Sequence, residues 1–588
     1  MSRFDTYFRG DTTDFTDGDA RFTGVDMTRD RGLLQPGQLA AAQNTRLRTG
    51  GCGQRKGTTW PVDFNPTFTN AFAGSGIFRD PNGNEVLLIA ARGAQEVIVL
   101  QYGKDPLTIP YSATEQGSGR NNGNLVEFVQ SFDKVQLLRR PIPAGSNHLV
   151  WDGDPGGEFT VVTLSPTGLN LILPQWNGES FQDRVIYYDA NFPAVDGRDG
   201  WFLSDILDYT SYNTVYGVGR TNPGESDYIT RIKAYYQNSF IVFKNQSIHQ
   251  VSILSQFPVA FSQRILSVRL GSCGNKMPLE VGGDIIFLSE PGGFFRLSQV
   301  IQDSIVTLPV AISEQIQPFI NGLNWAATRY WGCSASVDNY GLFGVAVGGA
   351  ATRCNAILVY NTQNSEWESV ADTWKDPTFG FNQLHVTNYQ DVRRVFAIDN
   401  DNAVVYLLYE GYVDDLKSGL WSVPYKMETR GYAGQDPFSM KMFRRSTITI
   451  STFTPSIKVT AISDGFNEEK LLTPSPITKS RLEFYTHGKT FDPLTDDHDA
   501  PFRKDYSIPD DSNVAIEDFE NLPDGPIAML PPTVIPDAAG RQQSIERLLI
   551  RGSGRWVSLR VENDDGACDV LGTSVEGTRT MNTIRAVA

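Results

Sequence analysis

The stretch Glu85-Val86-Leu87-Leu88-Ile89-Ala90, followed after Arg92-Gly93-Ala94-Gln95 by Glu96-Val97-Ile98-Val99-Leu100-Gln101-Tyr102, decides the fold. Two apolar runs of strand length flank a short turn, which reads as a hairpin. The figure recurs at 125–128 with 134–138, 232–236 with 240–243, 285–288 with 294–297, 341–347 with 356–360, and 394–398 with 404–409. Spacing between pairs is irregular, so no textual repeat exists. Many hairpins with almost no helix must nonetheless hide their edges, because one open sheet of that size would leave long unpaired strands. Radial blades solve this, and a β-propeller over 61–425 is the expectation, with a pair of sandwiches second.

The rest of the chain adds a mainly β, β-rich domain formed by C-terminal and possibly N-terminal segments. Residues 426–588 return to alternating strands such as Ser446-Thr447-Ile448-Thr449-Ile450-Ser451-Thr452 and Trp556-Val557-Ser558-Leu559-Arg560-Val561. Inside them lies an insert, 492–540, with twelve acidic residues against Arg503 and Lys504 and eight prolines. Such a composition does not fold alone and is expected to lie along another surface, outward or at an interface. Residues 1–60 hold seven Asp, eight Arg and one Lys, a local excess of two positive charges. There Pro36-Gly37-Gln38-Leu39-Ala40-Ala41-Ala42-Gln43-Asn44 predicts a short helix with proline near its first turn. A second short helix is predicted at 312–321, where Ile312, Ile316 and Phe319 share a face.

Composition narrows the function. The 588 residues carry a net charge of −16, which argues against a protein that grips nucleic acid by neutralising phosphates. Five scattered cysteines, Cys52, Cys273, Cys333, Cys354 and Cys568, include no C-x-x-C and predict neither a zinc ribbon nor a disulfide scaffold. No signal peptide or apolar span of membrane length is read, so a protein made in a reducing cytosol, without membrane insertion, is expected.

Catalytic templates fail in turn. G-x-S-x-G, the P-loop, the Rossmann fingerprint and H-E-x-x-H are absent. His249 reads as a packing histidine on a strand. Asp399-Asn400-Asp401-Asn402 with Glu410 partly matches a calcium loop, but Ala403 and Val404 occupy positions that need the ligand and the glycine, so a hairpin turn is expected. Asp11, Asp14, Asp17 and Asp19 form a tighter acidic cluster, the one candidate for a cation. No enzyme, cofactor or metal is predicted.

Several phrases, in order, resemble the tail nozzle proteins of short-tailed bacteriophages, also called tail tubular protein B or packaged-DNA stabilisation proteins. The first is Gly32-Leu33-Leu34-Gln35-Pro36-Gly37-Gln38-Leu39-Ala40, then Asn44-Thr45-Arg46-Leu47-Arg48-Thr49-Gly50 and Arg55-Lys56-Gly57. The second runs through Phe202-Leu203-Ser204-Asp205, Ser226-Asp227-Tyr228-Ile229-Thr230-Arg231-Ile232 and Phe240-Ile241-Val242-Phe243-Lys244-Asn245-Gln246-Ser247-Ile248. Gly282-Gly283-Asp284-Ile285-Ile286-Phe287-Leu288-Ser289 and Ile357-Leu358-Val359-Tyr360-Asn361 with Trp367 complete it. The acidic insert has no counterpart. The resemblance implies a structural virion protein, assembled in the host cytoplasm into a hexameric ring that closes the tail. Its neighbours would be an upstream adaptor or portal ring and tail fibres or spikes. DNA would be retained in its lumen and then passed without sequence-specific binding. Residues 1–60 would then be a docking segment, with Arg46, Arg48, Arg55 and Lys56 as candidates to meet the upstream ring; the alternative is intramolecular packing of the same arginines on the propeller. The alternatives are a receptor-binding or adhesin-type virion protein and a carbohydrate-active propeller enzyme.

Overall fold

The computed structural model describes residues 14–48, 51–60, 71–92, 96–101, 105–112, 126–139, 148–162, 165–167, 177–188, 199–213, 215–222, 227–236, 238–256, 259–290, 292–303, 309–389, 392–434, 437–452, 457–464, 467–472, 543–564 and 568–579. Among them, seven sets of antiparallel strands follow one another along the chain, the sixth and seventh within sheets that also take in parallel pairs. The first is Phe72–Arg79, Glu85–Ala91, Glu96–Leu100 and Leu107–Pro110. The second begins at Val126–Ser131, the third at Asn177–Phe181, the fourth at Ile229–Tyr235 and the fifth at Leu279–Val281. The sixth begins at Cys333–Val337 and the seventh at Gln383–Tyr389.

Each gap between consecutive sheets is filled by its own apolar core. Leu88 and Ala90 pack with Val135, Leu137 and Trp151 of the second sheet. Their neighbours Leu87 and Ile89 pack instead with Phe396, Ile398, Val405 and Leu407 of the seventh. The same division separates Phe240 and Val242, which face the third sheet, from Ile241 and Phe243, which face the fifth. Side chains alternate across a strand, so a strand buried on both faces must be apolar at every position. That is why the hairpin runs read as continuous apolar stretches. The contact between the seventh sheet and the first closes the ring, and the fold is a β-propeller of seven described blades.

The chain's first strands make the ring's fastening and most of its neighbour. Thr58–Thr59 pairs with Val404–Leu408 and so supplies the outer strand of the seventh blade. Asp14–Asp19, Thr45–Arg48 and Gly51–Gln54 join Lys441–Thr452, Gln543–Gly554 and Cys568–Arg579 in one sheet. Gln38–Gln43 joins Tyr425–Thr429, Val557–Asn563, Ile457–Ser463 and Asn467–Leu472 in another. Leu39, Leu47, Cys52, Met427, Ile448, Ile450, Val459, Leu559, Val561 and Val570 form the core between them. This is the additional β domain, and both ends of the chain build it.

Three expectations are corrected. The predicted helix at 36–44 is the strand Gln38–Gln43, with Leu39 opposite Thr429 and Ala42 opposite Met427. Alanines favour a helix in isolation, but tertiary pairing and the burial of Leu39 and Ala42 outweigh that preference. The described residues of 1–60 do not form a separate segment either, since their strands are integral to the sandwich and to the last blade. The helix expected at 312–321 is a 3-10 turn, Glu314–Ile316, running into the single helical turn Gln317–Ile320. The insert 492–540 lies outside the described residues. Among those described, no helix is long and apolar enough to cross a membrane.

Candidate functional site

Two polar constellations interrupt this apolar architecture. The first is the joint between propeller and sandwich. The outer strand of the sixth blade, Glu366–Thr373, lies beside Gln38–Gln43, with Ala371 opposite Gln43, so one sheet runs from blade into sandwich. Directly after this strand Asn44 takes a positive φ of 56°, a conformation Asn tolerates better than most residues. Its side-chain oxygen accepts from the Thr373 N–H and from Arg55 Nε, both at 2.8 Å, and its amide donates to the Pro424 carbonyl at 2.6 Å.

Arg55 is fully buried and spends all five donors. Besides Nε on Asn44, its other nitrogens donate to both Asp414 oxygens (2.9 and 2.8 Å) and to the Lys56 and Thr373 carbonyls (both 2.9 Å). Its face lies 4.8 Å from the Trp374 ring centroid. Arg46 repeats the plan, donating to both oxygens of Asp372 and lying 4.8 Å from the Tyr409 ring, whose hydroxyl also donates to Asp372. Burial works against the Arg46 charge, but the Asp372 carboxylate outweighs it and raises the guanidinium above its ordinary value. Planar bidentate pairing explains why arginine stands here. Gly57 completes the corner, because a Cβ there would sit 1.9 Å from the Val413 carbonyl oxygen.

The docking assignment for Arg46 and Arg55 is therefore replaced by an internal one. Arg55 spends its donors on partners in the same chain and Arg46 pairs with Asp372, and buried guanidinium groups have no access to an outside ring. Lys56 is half-buried and contributes its carbonyl, and the Arg48 side chain lies outside the described atoms. The acidic N-terminal cluster is resolved similarly. Asp17 and Asp19 both receive the Arg430 guanidinium, so an arginine is their cation. The side chain of Asp14 and all of Asp11 are outside the described residues.

The second constellation is at the hub, where the innermost strands of the blades converge. Arg231 of the fourth blade donates to Glu127 of the second and, at 3.1 Å, to Glu179 of the third. Lys233 reaches Glu179 at 3.1 Å. On the opposite side the Ser75 N–H donates to the side-chain oxygen of Gln383 at 3.0 Å, while Ser75 Oγ lies 2.9 Å from His385 Nε2. Burial, with the nearby Lys276 charge, pushes His385 down to about 3, so its imidazole is neutral over the ordinary pH range. Lys276 enters from the loop between fourth and fifth blades, its carbonyl held by the Ser334 hydroxyl at 2.8 Å. Burial lowers its pKa too, against the pull of Glu127.

Sequence reasoning singled out none of the hub residues as a site. The available signal was Glu127, Arg231 and Lys233 standing in otherwise strand-forming, largely apolar segments. His249 is the packing histidine expected, 2% exposed and 3.1 Å from the Ser247 hydroxyl. The expected turn at Asp399 is present, with Asp399 opposite Val404 and its carboxylate capping Asp401, Asn402 and Arg353. All five thiols are buried, and burial pushes Cys52 and Cys273 up to about 12.

No family model matches the chain, and no curated protein matches it. Among solved structures it is similar to the extracellular domain of a putative one component system, BT4673 from B. thetaiotaomicron. The identity is 10% and the TM-score 0.38, over 75% of this chain and 58% of that one. It is also similar to YCF48 from Cyanidioschyzon merolae, at 10% identity and a TM-score of 0.34 over 60% of this chain and 99% of that one. The virginiamycin B lyase of Staphylococcus aureus stands at 10% and 0.32, over 59% and 97%. Likenesses of this size carry no argument about function.

Proposed function

We propose that this chain is a structural virion protein, the subunit of a tail nozzle ring that retains and then passes packaged DNA. The observation that carries the reading is where the shared phrases fall. Asn44, Arg46, Arg55 and Gly57 of the first phrase weld sandwich to propeller, and Arg231 of the second ties three blades at the hub. Residues that serve architecture at both keystones suit a part that must transmit load without changing shape.

The hub's side chains bear on the path of the DNA in this reading. Arg231, Glu127, Glu179 and Lys233 bond to one another along the inner strands of the second, third and fourth blades, and in this reading the duplex runs between copies of the chain, along the axis of a ring. A net charge of −16 suits such a wall, since phosphate contacts would add salt-sensitive affinity and slow passage. Antibody raised against the purified chain is expected to label one end of tailed virus particles. Particles that lack the protein would end this reading.

A further inference from the structure

The third and fourth blades carry an apolar surface on one rim of the propeller. Leu207 lies in the connection after Gly200–Leu203, Tyr236 closes the hairpin after Ile229–Tyr235, and Leu254 is near the end of Ile248–Gln256. They are 68%, 77% and 69% exposed. Hydrogen bonds tie the three places together. The Leu207 N–H donates to the Asp183 carbonyl at 2.8 Å, Gln182 Nε2 reaches Asn238 Oδ1 at 3.5 Å, and the Ile253 N–H donates to the Asn238 carbonyl at 2.8 Å. Leu207 and Tyr236 have φ of 58° and 51°. That left-handed backbone suits glycine or asparagine, and a bulky side chain there is strained. Folding alone would be better served by glycine at both, so side chains that are strained and exposed point to a use outside the subunit. Asp183 and Asp208, both exposed, give this surface an acidic edge.

A second apolar surface lies on the sandwich. Phe443 belongs to the core between the sheets, so its neighbour Met442 points outward, 55% exposed, beside exposed Met440 and Phe438. Arg444 and Arg445 follow, both exposed, and the Arg445 contact with Glu576 at 3.9 Å is too open to water to hold it. The sandwich joins the ring at the sixth and seventh blades. In a ring of seven, the third blade is diametrically opposite that joint. Surfaces on opposite sides of a subunit cannot share one two-fold interface, whereas a head-to-tail contact covers both. Charge agrees: the rim set against its own copy brings Asp183 and Asp208 onto like carboxylates, but set against the sandwich it brings them to Arg444 and Arg445. We infer that the Leu207–Tyr236–Leu254 rim receives the Phe438–Met440–Met442 strip of a second copy of this chain. Apolar burial holds the contact and the exposed charges orient it. The inference names the contact within the ring proposed above, and rests on that reading for the neighbouring copies.

Cysteine cross-linking of the full chain tests it, because all five native thiols are buried. A Tyr236→Cys chain mixed with a Met442→Cys chain and treated with diamide should run as a disulfide-linked dimer on a non-reducing gel, and neither variant alone should do so. In sedimentation velocity, Tyr236→Asp with Leu254→Asp should convert wild-type rings to monomers, while circular dichroism reports an unchanged fold. Mixed variants that stay unlinked although the wild type sediments as rings overturn this contact and leave the ring standing. So does Tyr236→Cys that links to itself, which would mean a two-fold contact. A wild-type chain that remains monomeric at every salt concentration also overturns it. The nozzle reading is judged separately, by whether virus particles carry the protein.

Discussion

At the scale of the residue, the joint shows what an arginine does when water is excluded. Arg55 and Asp414 are both fully buried, and five hydrogen bonds with a Trp374 contact satisfy the guanidinium. Removing one partner of such a pair strands a buried charge, at a cost of about 3–5 kcal/mol. Arg55→Met is therefore expected to lower stability by about that amount in denaturant unfolding, and Arg55→Lys to recover little, because an ammonium cannot reproduce the fork. His385 sets a pH dependence of opposite origin. Its folded pKa of about 3 lies below the ordinary 6.5, so between those values the unfolded chain binds a proton that the folded chain refuses. Stability therefore rises with pH across that window and is lost as pH falls below about 6.5. The slope is at most ~1.4 kcal/mol per pH unit. His385→Gln should flatten the unfolding free energy between pH 6.5 and 4, and a variant with the wild-type slope would contradict this. The sequence displayed these residues without their roles. Arg46 and Arg55 stood out as a local basic excess, but Asp372 and Asp414 lie more than three hundred positions away, and nothing local links the pairs.

At the scale of the element, the hairpins were legible and the chain ends were not. All six hairpins read from sequence pair as expected, for example Ala90 opposite Val97 and Ile398 opposite Val405. The third blade was missed: its first strand, Asn177–Phe181, is NGESF, polar because it faces the hub. The strand Gln38–Gln43 was misread because its six residues, QLAAAQ, carry helix propensity while its partners Tyr425–Thr429 are nearly four hundred residues on. Its placement makes a prediction. A docking segment could be removed with the propeller left whole, but deletion of residues 1–60 here takes strands from the sandwich and the outer strand from the seventh blade. The truncated chain is expected to lose cooperative thermal unfolding and to be cut throughout by limited proteolysis. The milder Gly57→Ala should act in the same direction, since its Cβ meets the Val413 backbone. A truncated chain that melts sharply would refute the interlocked arrangement.

At the scale of the whole molecule, the question is how copies of so acidic a chain would come together. Each carries −16, and twelve of its carboxylates lie in the insert 492–540. Like charges on approaching subunits repel over about a Debye length, roughly 10 Å at 0.1 M salt and 30 Å at 0.01 M. If, as proposed, the chain forms a ring through apolar and backbone contacts, salt screens the repulsion while leaving the attraction in place. Sedimentation velocity should then show rings gaining over monomers as salt rises from about 20 to 300 mM. The opposite trend would mean that complementary charges hold the interface, with basic residues of one copy against carboxylates of the next. The structure narrows which basic residues are free for that. Arg46, Arg55, Arg231 and Arg430 are committed internally, whereas Arg393 is about half exposed and its Asp338 partner more so, an arrangement worth little in water. These internal pairs take up carboxylates along with arginines, so the excess of 67 acidic over 51 basic residues persists in the rest of the chain, and assembly that strengthens with salt is the expected result.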